Sequence, residues 1–118
     1  MKNIKLSTLT RTLMIIGLII FFLGSNPVQA STTVYRVSQD GINDGPCGSS
    51  WEGTCSLQQA LRLSMAGDQI WVKAGTYKPT ATADRTISFA LKSGAALYGG
   101  FDGTETDVTQ RSPVDNVT

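Results

Sequence analysis

Few residues in this chain carry reactive chemistry. Cys47 and Cys55 are the only cysteines, eight positions apart in Gly45-Pro46-Cys47-Gly48-Ser49-Ser50-Trp51-Glu52-Gly53-Thr54-Cys55. Two thiols so placed could form a disulfide, hold a metal or stay free. A metal site needs more soft ligands than two thiolates, and the chain has no histidine. The same lack excludes His-based triads and imidazole bases as usually built. The spacing is not that of a C-x-x-C redox pair. In an oxidising compartment an even pair reads as a disulfide. Closing so short a loop stabilises by about 2.5 kcal/mol in the chain-entropy account.

The acids offer two weak patterns. Asp40-Gly41-Ile42-Asn43-Asp44-Gly45 has Asp at the first and fifth positions and Gly at the sixth of a calcium loop. It fails at the third position, Ile42, and at the twelfth, Trp51, so a turn of Asx and Gly residues is the better reading. Asp102 with Glu105 or Asp107 could supply paired carboxylates for glycoside hydrolysis, which requires a separation of roughly 5–9.5 Å; solvated turn residues are the plainer reading. Arg85 and Arg111 read as solvated surface residues. Trp51, Trp71 and Tyr77 could stack on sugar rings, with Trp51 and Trp71 the candidate carbohydrate contacts; each is equally suited to packing. Gly99-Gly100-Phe101-Asp102-Gly103 does not fit G-x-G-x-x-G and does not open a helix, so nucleotide binding is set aside. Asn116-Val117-Thr118 is a formal glycosylation sequon. No catalytic residue, cofactor or metal ligand is assigned.

The segments that carry these residues begin with a leader. Residues 13–24 are an uncharged apolar run of 12, preceded by Lys2, Lys5 and Arg11 and followed by Val28-Gln29-Ala30. The run is shorter than the roughly 20 residues that span a bilayer, and the pattern is that of a signal peptide cleaved after Ala30, with an uncleaved signal anchor as the other reading. Membrane contact is then transient and the destination extracellular or the cell surface. Cleavage would shorten the 118-residue chain to 88 residues, with seven basic against nine acidic side chains and a net charge of −2. That balance excludes a basic nucleic-acid-binding module.

After the leader, Thr33–Val37 alternates and is rich in β-branched residues, which predicts a strand. Residues 38–55 form a glycine-punctuated loop. Ser56-Leu57-Gln58-Gln59 is a capping box that opens a short amphipathic helix over about 57–65, with Leu57, Ala60, Leu61 and Met65 on one stripe and Gly67 past its end. Gln69–Val72 predicts a strand with Ile70 and Val72 on one face and Trp71 on the other. Thr80–Arg85 reads as a surface loop. Ile87, Phe89 and Leu91 alternate with Ser88 and Ala90, which predicts another strand, and Ala95–Phe101 a further one with a bend at Gly99-Gly100. The segments centred on Ile70 and Leu97 lie 27 residues apart, within the 20–50 residue period of solenoid repeats.

Gly67-Asp68-Gln69-Ile70-Trp71-Val72-Lys73-Ala74-Gly75-Thr76-Tyr77 and Leu91-Lys92-Ser93-Gly94-Ala95-Ala96-Leu97-Tyr98-Gly99-Gly100-Phe101-Asp102-Gly103-Thr104-Glu105-Thr106, with Gln110-Arg111 ahead of Asn116-Val117-Thr118, resemble the amino-terminal end of secreted proteins of the pectin-lyase-like superfamily. Cys47–Leu61 is similar to that family's amino-terminal cap. The resemblance spans about residues 33–118. It implies a mainly β protein: a partial right-handed parallel β-helix, or solenoid, with an N-terminal capping α-helix over the open end of its first coil. The implied division is a signal peptide over 1–30, a cap with disulfide loop and helix over 31–66, and first coils over 67–118, ending short of the family's usual length. The function it implies is an exported or cell-surface structural, adhesin-like segment, non-catalytic as it stands, whose partners are carbohydrate or cell-surface components. One alternative is the leader of a polysaccharide lyase or glycoside hydrolase whose catalytic coils are missing; another, apart from the resemblance, is a small disulfide-stapled binding module complete as it stands.

Overall fold

The structure is a computed structural model that describes residues 31–118; the leader and its cleavage site lie outside the described residues. Strand β1 (Val34–Ile42) opens the fold, followed by helix α1 (Leu57–Leu63), strand β2 (Gln69–Lys73) and strand β3 (Ala96–Phe101). Single 3-10 turns cover Trp51–Gly53 and Val108–Gln110. The three strands form one sheet in the order β1-β2-β3, with both neighbour pairs parallel. Tyr35, Ile70 and Leu97 stand in register across it, as do Arg36, Trp71 and Tyr98 one position on. Because side chains alternate along a strand, these two rows lie on opposite faces.

One face is the apolar core. Val37, Ile70 and Val72 pack against Leu57, Ala60 and Leu61 of α1 and against Cys55, with Tyr35, Cys47 and Tyr77 at the margin. The helix forms where the sequence places its start: the Ser56 hydroxyl accepts from the Gln59 N–H at 3.2 Å. The reciprocal half of the capping box is not made. The Gln59 side-chain amide donates to the Gly45 carbonyl instead, tying the helix to the stapled loop. The helix ends at Leu63, so Met65 falls beyond its stripe and is exposed.

The second face depends on a bulge. Trp71 pairs with Tyr98 and Lys73 with Phe101, so β3 spends one extra residue between them. A shift of one residue moves every later side chain to the other face. Phe101 is thereby turned onto the Trp71 side, where it is fully buried. Gly100 makes this possible: it sits at φ 88°, and a Cβ there would stand 2.8 Å from the Pro113 backbone.

The solenoid expectation is overturned. Among the described residues the fold is three parallel strands in one open sheet with one helix, and no β-helix. The helix lies across the face of β1 and β2, where its stripe meets Val37, Ile70 and Val72, and does not lid the end of a coil. The predicted strand at 87–91 is also absent, and its Ile87, Phe89 and Leu91 are 37–50% exposed. The cause is its neighbour. The Ser88 carbonyl receives a hydrogen bond from the Gln58 side chain at 3.3 Å. A helix has already spent its backbone groups internally and offers no ladder to an extended segment. Alternation alone cannot make a strand without a strand beside it.

Candidate functional site

The stapled loop comes first in the chain. Cys47 and Cys55 are joined in a disulfide with their Cα atoms 5.0 Å apart. Cys55 is fully buried and bridges to Val37 and Ile42 of β1. The backbone N–H of Ile42 donates to Thr54 at 3.2 Å and that of Ser56 to Ile42 at 2.8 Å. The bridge thus fixes the stretch between strand and helix against the strand itself.

The two tryptophans are brought together on the bulged face. Trp71 is 4% exposed and stacks on Phe101, with centroids 4.9 Å apart and planes 8° from parallel. Trp51 leans on the same ring at 5.6 Å. The Arg36 guanidinium lies over both indoles, 5.0 Å from Trp71 and 5.7 Å from Trp51, and donates to the Ser49 carbonyl. Trp51 Nε1 donates to the Glu105 carbonyl at 2.8 Å, and Trp71 Nε1 to Gln69 Oε1 at 2.9 Å. Trp71 has no ring face left for a sugar. This layer is held by aromatic and cation–π packing. Arg36 was readable only as one position of an alternating strand.

The acids proposed as a carboxylate pair are occupied otherwise. Glu105, 6% exposed, accepts from the backbone N–H groups of Asp102 at 2.8 Å, Gly103 at 3.0 Å and Thr104 at 3.1 Å. Asp102 accepts from the Thr104 N–H at 2.8 Å and hydroxyl at 2.6 Å. The same arrangement recurs at Asp107 with Thr109 and at Asp84 with Thr86. In all three the threonine hydroxyl, then its N–H, holds the carboxyl below its usual value. These are Asx turns. Asp-x-Thr, present three times, is the sequence signal that would have found them. Buried Asp68 likewise ties Thr33 and Met65 through their N–H groups, at 3.0 Å and 2.9 Å. Arg111 spans Tyr98 and the Gly99 carbonyl, 5.4 Å from the ring and 3.2 Å from the oxygen, and Arg85 is exposed. Among the described residues no group of three or more acids or cysteines is placed to hold a metal ion, and no helix is long and apolar enough to cross a membrane.

A cleft of about 410 Å³ opens where the β1–β2 pairing ends at Val37 and Val72, beside the last half of β1, between Gln39, Asn43, Ser56, Gln58 and the Thr76–Ala81 segment. Ligands of parallel sheets commonly bind beyond the carboxyl ends of the strands. Tyr77 stands on its wall with its hydroxyl donating to the Lys73 carbonyl at 2.7 Å. Burial, and then the charge of Asp40, push that phenol up to about 12. The sequence reading missed the cleft because Gln39 and Gln58 lie 19 positions apart on different elements.

No family, curated protein or solved structure matches this chain.

Proposed function

We propose that this protein is an exported, cell-surface structural module of adhesin-like character, meeting carbohydrate or other surface components and doing no chemistry of its own. The observation that carries the reading is how its acids and thiols are used. Glu105, Asp68, Asp102 and Asp107 are hydrogen-bonded to the loops they shape, and the two cysteines close a disulfide. A disulfide in so small a domain fits an oxidising compartment. The signal-peptide pattern at 1–30 and the motif likeness to amino-terminal segments of secreted proteins support the same destination; the coil architecture does not come with that likeness.

The test is expression of the full chain with its own leader in a bacterial host. The expected product is exported, begins at Ser31 and has lost the two thiol hydrogens, all read by intact mass. A chain retained in the cytosol with both thiols free would overturn the reading. So would robust cleavage of an acidic or neutral polysaccharide by the exported chain, which would favour the lyase or hydrolase alternative.

A further inference from the structure

We infer that the cleft beyond the end of the β1–β2 pairing is a binding site for a neutral saccharide, one or two rings of a glycan. The inference extends the surface-module reading and rests on it only for where a glycan would be met. Its chemistry follows from which polar atoms the fold has already used. Gln39 donates its amide N–H to the Thr76 carbonyl at 2.7 Å. Gln58 donates to Pro79 at 2.9 Å and to Ser88 at 3.3 Å. Both amides are therefore held by their nitrogens, and their oxygens are left as acceptors. The Tyr77 hydroxyl has also spent its proton, on Lys73, and can only accept. Ser56 Oγ accepts from the helix and retains a proton to give. Asn43 and Lys78 bring further donors to the rim.

The backbone at residue 75 leaves room for the Gln39 side chain. Gly75 lies directly under it, and a Cβ there would stand 2.7 Å from the Gln39 amide carbon. Any other residue would push that amide away. The resulting wall has fixed acceptors, a few donors and the flank of a phenol ring, with Lys78 its only charged member. A carboxylate-bearing sugar would find one cation facing several oxygens that repel it. An apolar ligand would strand the amide oxygens without partners, which is unfavourable. A polyol offers a donor and an acceptor at each hydroxyl and meets both demands. The volume of about 410 Å³ lies in the range of small-molecule sites, roughly 300–1,000 Å³.

Isotope-labelled exported protein, titrated with cellobiose, maltose and chitobiose, tests this by NMR, with digalacturonate and trialanine as acidic and peptide counterparts. At least one neutral disaccharide should give saturable shifts in the side-chain amide signals of Gln39, Asn43 and Gln58, with those of Gln69 and Gln110 still. Gln58→Leu should weaken that binding by about tenfold, the loss of one good hydrogen bond. Asn43→Ala, at an exposed position, should weaken it about threefold and serves should the first variant disturb the loop. Absence of saturable shifts from all three neutral sugars, shifts centred elsewhere, or tighter binding of digalacturonate or trialanine would each overturn the assignment. Export and disulfide formation are measured separately, so failure here leaves the surface-module reading standing.

Discussion

Two connections in this fold do the same job and are built in opposite ways. Residues 43–68 carry the chain from β1 to β2, and residues 74–95 carry it from β2 to β3. Both must cross the sheet, because parallel neighbours cannot be joined by a tight turn. The first is stapled by Cys47–Cys55, contains α1 and buries Leu57, Ala60 and Leu61 against the sheet. The second forms no helix or strand, and its residues 81–94 are all exposed. It is not short of apolar side chains. What it lacks is a period that matches its neighbour: spacing of three and four closes a helix on its own hydrogen bonds, whereas spacing of two needs a second strand.

The sharpest way to break this comparison is to truncate one apolar residue in each connection. Leu61→Ala should lower stability by about 2–4 kcal/mol, since a side chain 3% exposed leaves a cavity when removed. Phe89→Ala, at a side chain 37% exposed, should cost no more than about 1 kcal/mol. Urea midpoints measure both; equal losses would mean that the second connection is packed as well as the first. Next in size is the staple. Replacing Cys47 and Cys55 by serine should remove about 2.5 kcal/mol, through the restored freedom of the open loop. A loss near zero would show that the contacts of the Thr54–Ser56 backbone with β1 hold the loop unaided. The helix start is worth less. Ser56→Ala should lose about 1 kcal/mol, and a larger loss would mean that the Gln59–Gly45 tie depends on the same hydroxyl.

How much of this was legible in the sequence follows the same division. Ser56, the stripe of Leu57, Ala60 and Leu61, and the β-branched starts of β1 and β2 were readable because each element's signal is local. The disulfide was readable from cysteine arithmetic. The opposite faces of Ile70 and Trp71 followed from alternation. The 27-residue spacing of the segments centred on Ile70 and Leu97 marked two strands that pair in parallel, with those two residues in register; misread were the stacking into coils and the strand at 87–91, which depend on what lies beside them. Ile87–Leu91 has a strand's pattern and a helix for a neighbour. A likeness spread over residues 33–118 suggested stacked coils, where the chain makes one sheet layered with a helix. The cleft was invisible for a related reason: Gln39, Asn43 and Gln58 converge only after β1 and α1 have packed. The Asp-x-Thr turns were fully local and could have been found.

Those turns give the finest test, because one of them lies in the loose connection and two beside the sheet. Asp84, Asp102 and Asp107 share one geometry and one direction of shift, each carboxyl held low by its threonine. A carboxyl lowered in the folded state adds stability that is complete above its unfolded value. That contribution fades as pH falls through the ordinary carboxylate range to the folded value. Asp107 also anchors a capping box with Gln110, and Asp102 shares its turn with buried Glu105. Thr104→Val and Thr109→Val should therefore raise the neighbouring carboxyl and flatten the fall of the urea midpoint on acidification. Thr86→Val should raise Asp84 as well, read by NMR titration; because that turn is local to the loose connection it is expected to form in the unfolded chain too, so the carboxyl moves in both states and the midpoint is unchanged. All three groups are exposed, so added salt should shrink the effect. If Thr86→Val moved the midpoint as far as Thr109→Val, the second connection would be coupled to the fold through its turn, and its exposure would no longer mean independence.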